Sequence, residues 1–211
     1  MQLYTYTKKE EVIHATTHGA GALLSIAGLV LLAGDASWSG DWRRFISVFV
    51  FGGTMFLMYL TSTIVHSLPK GKWKEFFKIA DHASIYLFIA GTYTPFLLLQ
   101  MPGNLGWKML AIVWGIAVTG VLFKIFFISR FLILSTFFYI LMGWLIVFIW
   151  NPLTAAMHEN GVVLLIAGGL FYTFGTVFYL WRGFYFHHAI WHIFVMAGSA
   201  FHFFCIFYYV I

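Results

Sequence analysis

An all-α integral membrane bundle of seven transmembrane helices is the fold this sequence predicts, on three observations. Of 211 residues, 62% are hydrophobic and 9% are charged, against roughly 25% charged in soluble domains. The apolar residues fall in runs of about 20, the length that crosses a hydrocarbon core as a helix. Almost every Lys and Arg lies in the short connections between those runs. An outer-membrane barrel is excluded, because the runs lack its alternation of apolar and polar residues over roughly ten positions.

The spans are approximately 13–34, 45–67, 79–100, 107–128, 131–150, 161–181 and 188–210, in a single domain over 1–211. The first follows Lys8–Glu11. It is read as a helix rather than a cleaved signal peptide, because Glu10, Glu11, His14 and His18 interrupt its approach and the apolar run is long. Pro69, Pro102 and Pro152 mark the ends of the second, third and fifth spans, where a missing N–H is tolerated. Pro95 falls inside the third and should kink it, its freed backbone groups being satisfied by neighbouring helices. The fourth and sixth end near Lys124–Arg130 and Arg182, and "HHAIWHIF" opens the seventh. Gly52, Gly53, Gly168, Gly169 and Gly198 are expected to allow close helix packing.

Counting Lys and Arg on each side sets the orientation. One side carries nine: Lys8, Lys9, Lys70, Lys72, Lys74, Lys78, Lys124, Arg130 and Arg182. The other carries three: Arg43, Arg44 and Lys108. The N-terminus is therefore expected in the cytoplasm and the C-terminus outside. Trp38, Trp42, Trp107, Trp150, Tyr208 and Tyr209 then fall at the outer boundary, where aromatic residues anchor. Basic residues spread over loops in this way form no nucleic-acid patch. Membrane lipids are the expected partners, and the oligomeric state stays open.

With this topology, four distant stretches reach one layer near the cytoplasmic face: "EVIHATTHG" (11–19), "STIVH" (62–66), "ADH" (80–82) and "HHAIWH" (187–192). At about 100° per residue, His188 and His192 lie about 40° apart, with Ser199 and His202 further along the same stripe. Two histidines at i and i+4 can share a metal. A third, His66, gives a His₃ set, the pattern in which zinc keeps a position for water and lowers its pKa. Asp81 could take a proton from that water, and Ser62 could donate to a developing oxyanion.

Plainer readings stand beside these. An H-x₃-H pair alone is more often a packing pair. Asp81 could instead cap the third helix, and Ser62 could be a packing hydroxyl. His14 and His18 form a competing H-x₃-H pair. His82 and His187 read as interfacial, His158 as solvated, and the Lys70–Lys78 run as a topology signal. The single cysteine, Cys205, excludes a Cys-based metal site.

The stretches "EEVIHATTHGAGALLSIAGLVLL", "STIVHSLP", "DHASIYLFIAGTYTPFLL" and "HHAIWHIFVMAGSAFHFF" closely resemble the bacterial haemolysin III family, within the progestin and adipoQ receptor (PAQR) superfamily. The resemblance runs from about residue 10 to the C-terminus. It implies an adiponectin-receptor-like bundle in the bacterial inner membrane, with a Zn²⁺ site near the cytoplasmic face. It places the metal ligands on His66, His188 and His192, the aspartate on Asp81 and the serine on Ser62. Glu11, His18 and His202 match further family positions with supporting roles. His14 stands where an asparagine is expected.

Three functions follow in order of support. The first is a zinc-dependent hydrolase of a lipid acyl or amide bond, ceramidase-like, contributing to membrane-lipid homeostasis. The second is a non-enzymatic sensor or receptor with a structural zinc, and the third a pore-forming cytolysin. The third has little support, because the spans lack rings of charged residues. A retinal protein is excluded by the absence of lysine in the seventh span.

Overall fold

The computed structural model describes residues 6–36, 40–128 and 131–211. Trp38, expected at the outer boundary, and Arg130, used in the charge count, lie outside them. The described residues form eight α-helices: α1 Lys8–Ala36, α2 Trp42–Ser67, α3 Lys72–Pro95, α4 Asn104–Phe127, α5 Leu132–Gly143, α6 Trp150–Ala156, α7 Glu159–Leu180 and α8 His187–Tyr209. Seven spans are long and apolar enough to cross a membrane, α5 and α6 together making the fifth.

Several boundaries differ from the sequence expectation. The first helix begins at Lys8, before its apolar run, because Thr7 and Glu10 cap it reciprocally. Thr7 N donates to Glu10 Oε2 (2.9 Å), and Glu10 N donates to Thr7 Oγ1 (3.3 Å). This is the T-x-x-E capping box. α3 begins at Lys72, so Asp81 sits more than two turns inside it and does not cap it. Pro95 ends α3 in a π-helical segment, Phe96–Gln100, which absorbs the missing donor without a break in the span.

The fifth span runs past Pro152 to Ala156 by way of a 3₁₀ segment, Trp144–Ile149. Tyr93 on α3 holds that irregular stretch. Its hydroxyl donates to Gly143 O (2.6 Å) or Met142 O (3.1 Å) and accepts from Ile146 N (2.8 Å). Tyr93→Phe leaves those backbone groups unpaired in a dry interior. It should lower stability by about 1–2 kcal/mol, read as an earlier unfolding midpoint in detergent. An unchanged midpoint would mean that the 3₁₀ segment holds itself.

Neighbours in the bundle pack as α1 on α2 and α8, α2 on α3, α3 on α4 and α5, and α7 on α8 and α5. Large apolar residues such as Leu23, Leu24, Phe126 and Phe148 are exposed toward lipid. The interior holds Phe51, Tyr86 and Ile206 beside an unusual set of buried polar side chains, among them seven histidines named below. Only some of the expected glycines allow close approach. A Cβ at Gly52, Gly168 or Gly198 would strike Leu29, His202 or Tyr172, whereas Gly53 and Gly169 face open space.

Lys124 departs furthest from its expected place. It is not a loop charge but a fully buried residue of α4 (0% exposed). Its ammonium donates to Ser135 Oγ (2.7 Å) and lies 5.6 Å from the centre of the Tyr139 ring. Asp81 lies within electrostatic reach.

Candidate metal centre

α1, α2 and α8 meet at the ends nearest Lys8, Ser67 and His187, and their histidines meet there. Among the described residues, ligand atoms of His14, His66 and His188 lie within 4.8 Å of one another, and all three residues are buried. His192 borders this group, with its ring centre 4.5 Å from His188 and 5.5 Å from both His14 and His66. Its ring also stacks on His18 at 3.4 Å. Three of the four stretches named from the sequence, on α1, α2 and α8, meet here. The closest three-donor set includes His14, with the proposed ligand His192 beside it.

Neighbouring groups fix which nitrogen of His66 and of His192 is bare. His66 Nδ1–H donates to Glu11 Oε2 (2.7 Å), leaving Nε2 as a ligand atom. Lys74 Nζ in turn donates to Glu11 Oε1 (2.9 Å) and to the carbonyls of Val65 and Leu68 at the end of α2. A carboxylate behind a ligating imidazole orients the ring and raises its basicity. Lys74, read from sequence as a topology charge, thus positions that carboxylate.

The Thr17 hydroxyl donates to Ile13 O (2.8 Å) or His14 O (2.9 Å), so it accepts from His192 Nδ1–H (3.1 Å). That leaves His192 Nε2 bare. Ser62 Oγ pairs with His18 Nδ1 at 2.7 Å. Asp81, 7% exposed, faces Ser62, His66 and Lys124.

Two residues read as interfacial are structural instead. His187 is fully buried, its Nδ1–H donating to Phe178 O (3.0 Å). His82 bridges α3 and α7, its Nδ1 bonding Lys78 O (2.8 Å) and its Nε2 the Tyr179 hydroxyl (3.1 Å). His158 is exposed as expected, capping α7 by accepting from Asn160 N. Tyr6 was not foreseen. Its ring packs over the cluster, 4.7 Å from His14, 5.1 Å from His188 and 6.0 Å from His66. Burial there raises its phenol above the ordinary pKa.

The cluster fits a divalent metal ion. His14 Nδ1 and Nε2, His18 Nε2, His188 Nδ1 and His192 Nε2 are buried with no hydrogen-bond partner. Buried polar atoms are rarely left so. Neutral imidazoles without thiolates suit zinc among other borderline ions.

Fold and centre together define a multi-pass membrane protein with a buried three-histidine group able to hold a metal. The family model described as Haemolysin-III related matches residues 6–203, and the chain belongs to that family. It is 49% identical over 211 residues to "Hemolysin-3" of Bacillus cereus, covering 100% of this chain and 96% of that relative. It is 50% identical over 204 residues to "Hemolysin-3 homolog" of Bacillus subtilis, covering 97% and 96%. A human relative, "Monocyte to macrophage differentiation factor", is 29% identical over 212 residues, covering 96% and 85%. No solved structure matches the chain.

Proposed function

We propose that this protein is a zinc-dependent hydrolase of an acyl or amide bond in a membrane lipid. In this reading it contributes to lipid homeostasis, with the centre at the cytoplasmic face of the bacterial inner membrane. The observation that carries it is a cavity of about 490 Å³ in the bundle, walled mainly by apolar side chains of α3, α5, α7 and α8. Trp191 and Tyr179 are among its lining residues. The Trp191 ring is 4.9 Å from His188 and 5.2 Å from His192. An apolar cavity abutting polar groups suits a ligand with an acyl chain and a reactive head.

His66, His188 and His192 are the proposed ligands. Bound zinc supplies Lewis-acid polarisation of a carbonyl and lowers the pKa of a water molecule. Asp81, facing Ser62 and His66, accepts a proton. Ser62 Oγ donates to the developing oxyanion, held in place by His18. Glu11 and Lys74 fix the ring of His66, and Tyr6 limits access of bulk water.

The test is release of free fatty acid from N-acyl and O-acyl lipids by zinc-loaded protein, read by mass spectrometry. Asp81→Asn should slow release about 100-fold or more, and His66→Ala should abolish it. No release from the wild type, or equal release from His66→Ala, overturns the hydrolase.

A second reading, a non-enzymatic receptor with structural zinc, is favoured by His14. A fourth imidazole closes the position a catalytic site keeps open. Metal retention without any lipid turnover would select it. Pore formation is the third reading, and liposome leakage unaffected by His66→Ala would favour it.

A further inference from the structure

We infer that His202 forms a second polar subsite within the cavity, accepting a hydrogen bond from a hydroxyl carried partway along an acyl chain. This rests on the proposal that the cavity takes an acyl chain.

His202 lies on α8 beyond His192, about 15 Å further along the helix axis. It lines the cavity and is 7% exposed. Its Nε2 is 3.1 Å from Leu165 O. A carbonyl only accepts, so Nε2 carries the hydrogen, and Nδ1 of the neutral ring is a bare acceptor. That Nδ1 is buried without a partner. The ring is pressed against α7: a Cβ at Gly168 would strike its Cδ2 and Nε2. Glycine is therefore required for this approach, and Nδ1 lies opposite the ring edge pressed against Gly168.

The other threonine and tyrosine hydroxyls of the cavity wall, Tyr172 apart, are already committed. Thr92 donates to Phe88 O, Thr173 to Gly169 O, Thr176 to Thr173 O and Tyr139 to His82 O. The Tyr172 hydroxyl lies beside Ser199 without a well-formed hydrogen bond, and its ring is 5.4 Å from that of His202. The acceptor left over is His202 Nδ1, deep in an apolar wall. An ammonium donor would carry a charge into that wall at high cost. A hydroxyl brings a donor without charge, and its oxygen can accept from Tyr172.

Ricinoleic acid and oleic acid test this, because the first differs from the second by one mid-chain hydroxyl. Binding of each to the full chain in lipid nanodiscs is measured by displacement of deuterated oleic acid. Ricinoleic acid should bind about tenfold tighter. His202→Phe should abolish the preference while keeping oleic acid affinity within about twofold. Equal binding by the wild type, or a preference that survives His202→Phe, overturns the subsite and leaves the acyl cavity standing. Binding of neither acid overturns both. The wild-type ratio decides the matter even where His202→Phe fails to fold.

Discussion

Zinc content should fall from about one ion per chain to below about a tenth when His66 or His188 is replaced by alanine. Mass spectrometry of the detergent-purified protein measures it. The two residues come from α2 and α8, their rings 5.2 Å apart, and both belong to the closest donor set and to the proposed ligand set. The third ligand distinguishes those sets. His192→Ala should release the metal, because Thr17 already holds its ring with Nε2 bare. His14→Ala should retain about one zinc, since three histidines and a water satisfy a tetrahedral ion. The reverse result, loss with His14→Ala and retention with His192→Ala, would establish His14, His66 and His188 as the ligands. Metal-free, folded wild type would sink the centre altogether.

Asp81→Asn should destabilise the bundle by about 3 kcal/mol, and Lys124→Met in the same chain should recover most of that loss. Lys124 is fully buried and finds only Ser135 Oγ, the Tyr139 face and the field of Asp81 to offset its charge. Removing the carboxylate takes away an anion whose field offsets the buried ammonium, and an uncompensated buried charge is costly. Methionine replaces that cation with a side chain of similar length and no charge. Unfolding midpoints of the two single variants and the double variant complete the cycle. Additive effects would show that Asp81 and Lys124 do not stabilise one another.

The seven-span architecture was legible because its cause is local: about 20 apolar residues must cross, and the charges must not. The meeting of His14, His66, His188 and His192 was legible at lower resolution, since topology places their helix ends in one layer. What sequence reading missed depended on contacts across helices. Lys124 reads as a boundary charge until Ser135 and Tyr139 are seen around it. Lys74 reads as one of four loop lysines until Glu11 is found beside it. His14 was set aside on family resemblance, yet both its ring nitrogens lack a hydrogen-bond partner and one lies within 4.8 Å of the donor atoms of His66 and His188. One missed feature did carry a signal. Thr7 and Glu10 form a T-x-x-E pattern that starts α1 at Lys8, bringing Tyr6 against the histidines.

That last contact governs how fast the centre can equilibrate. Tyr6 is joined to the cap of α1, and Glu10 Oε1 also accepts from the backbone of Phe186 at 3.3 Å. Exposing the imidazoles on this side requires the first turn of α1 to fray and both attachments to open together. Exchange of a metal held by these histidines would then proceed through a sparsely populated open form, at a rate that scales with the population of that form rather than with affinity. A chelator would strip such a protein slowly even when the equilibrium favours removal. The N-terminal turn would set the clock.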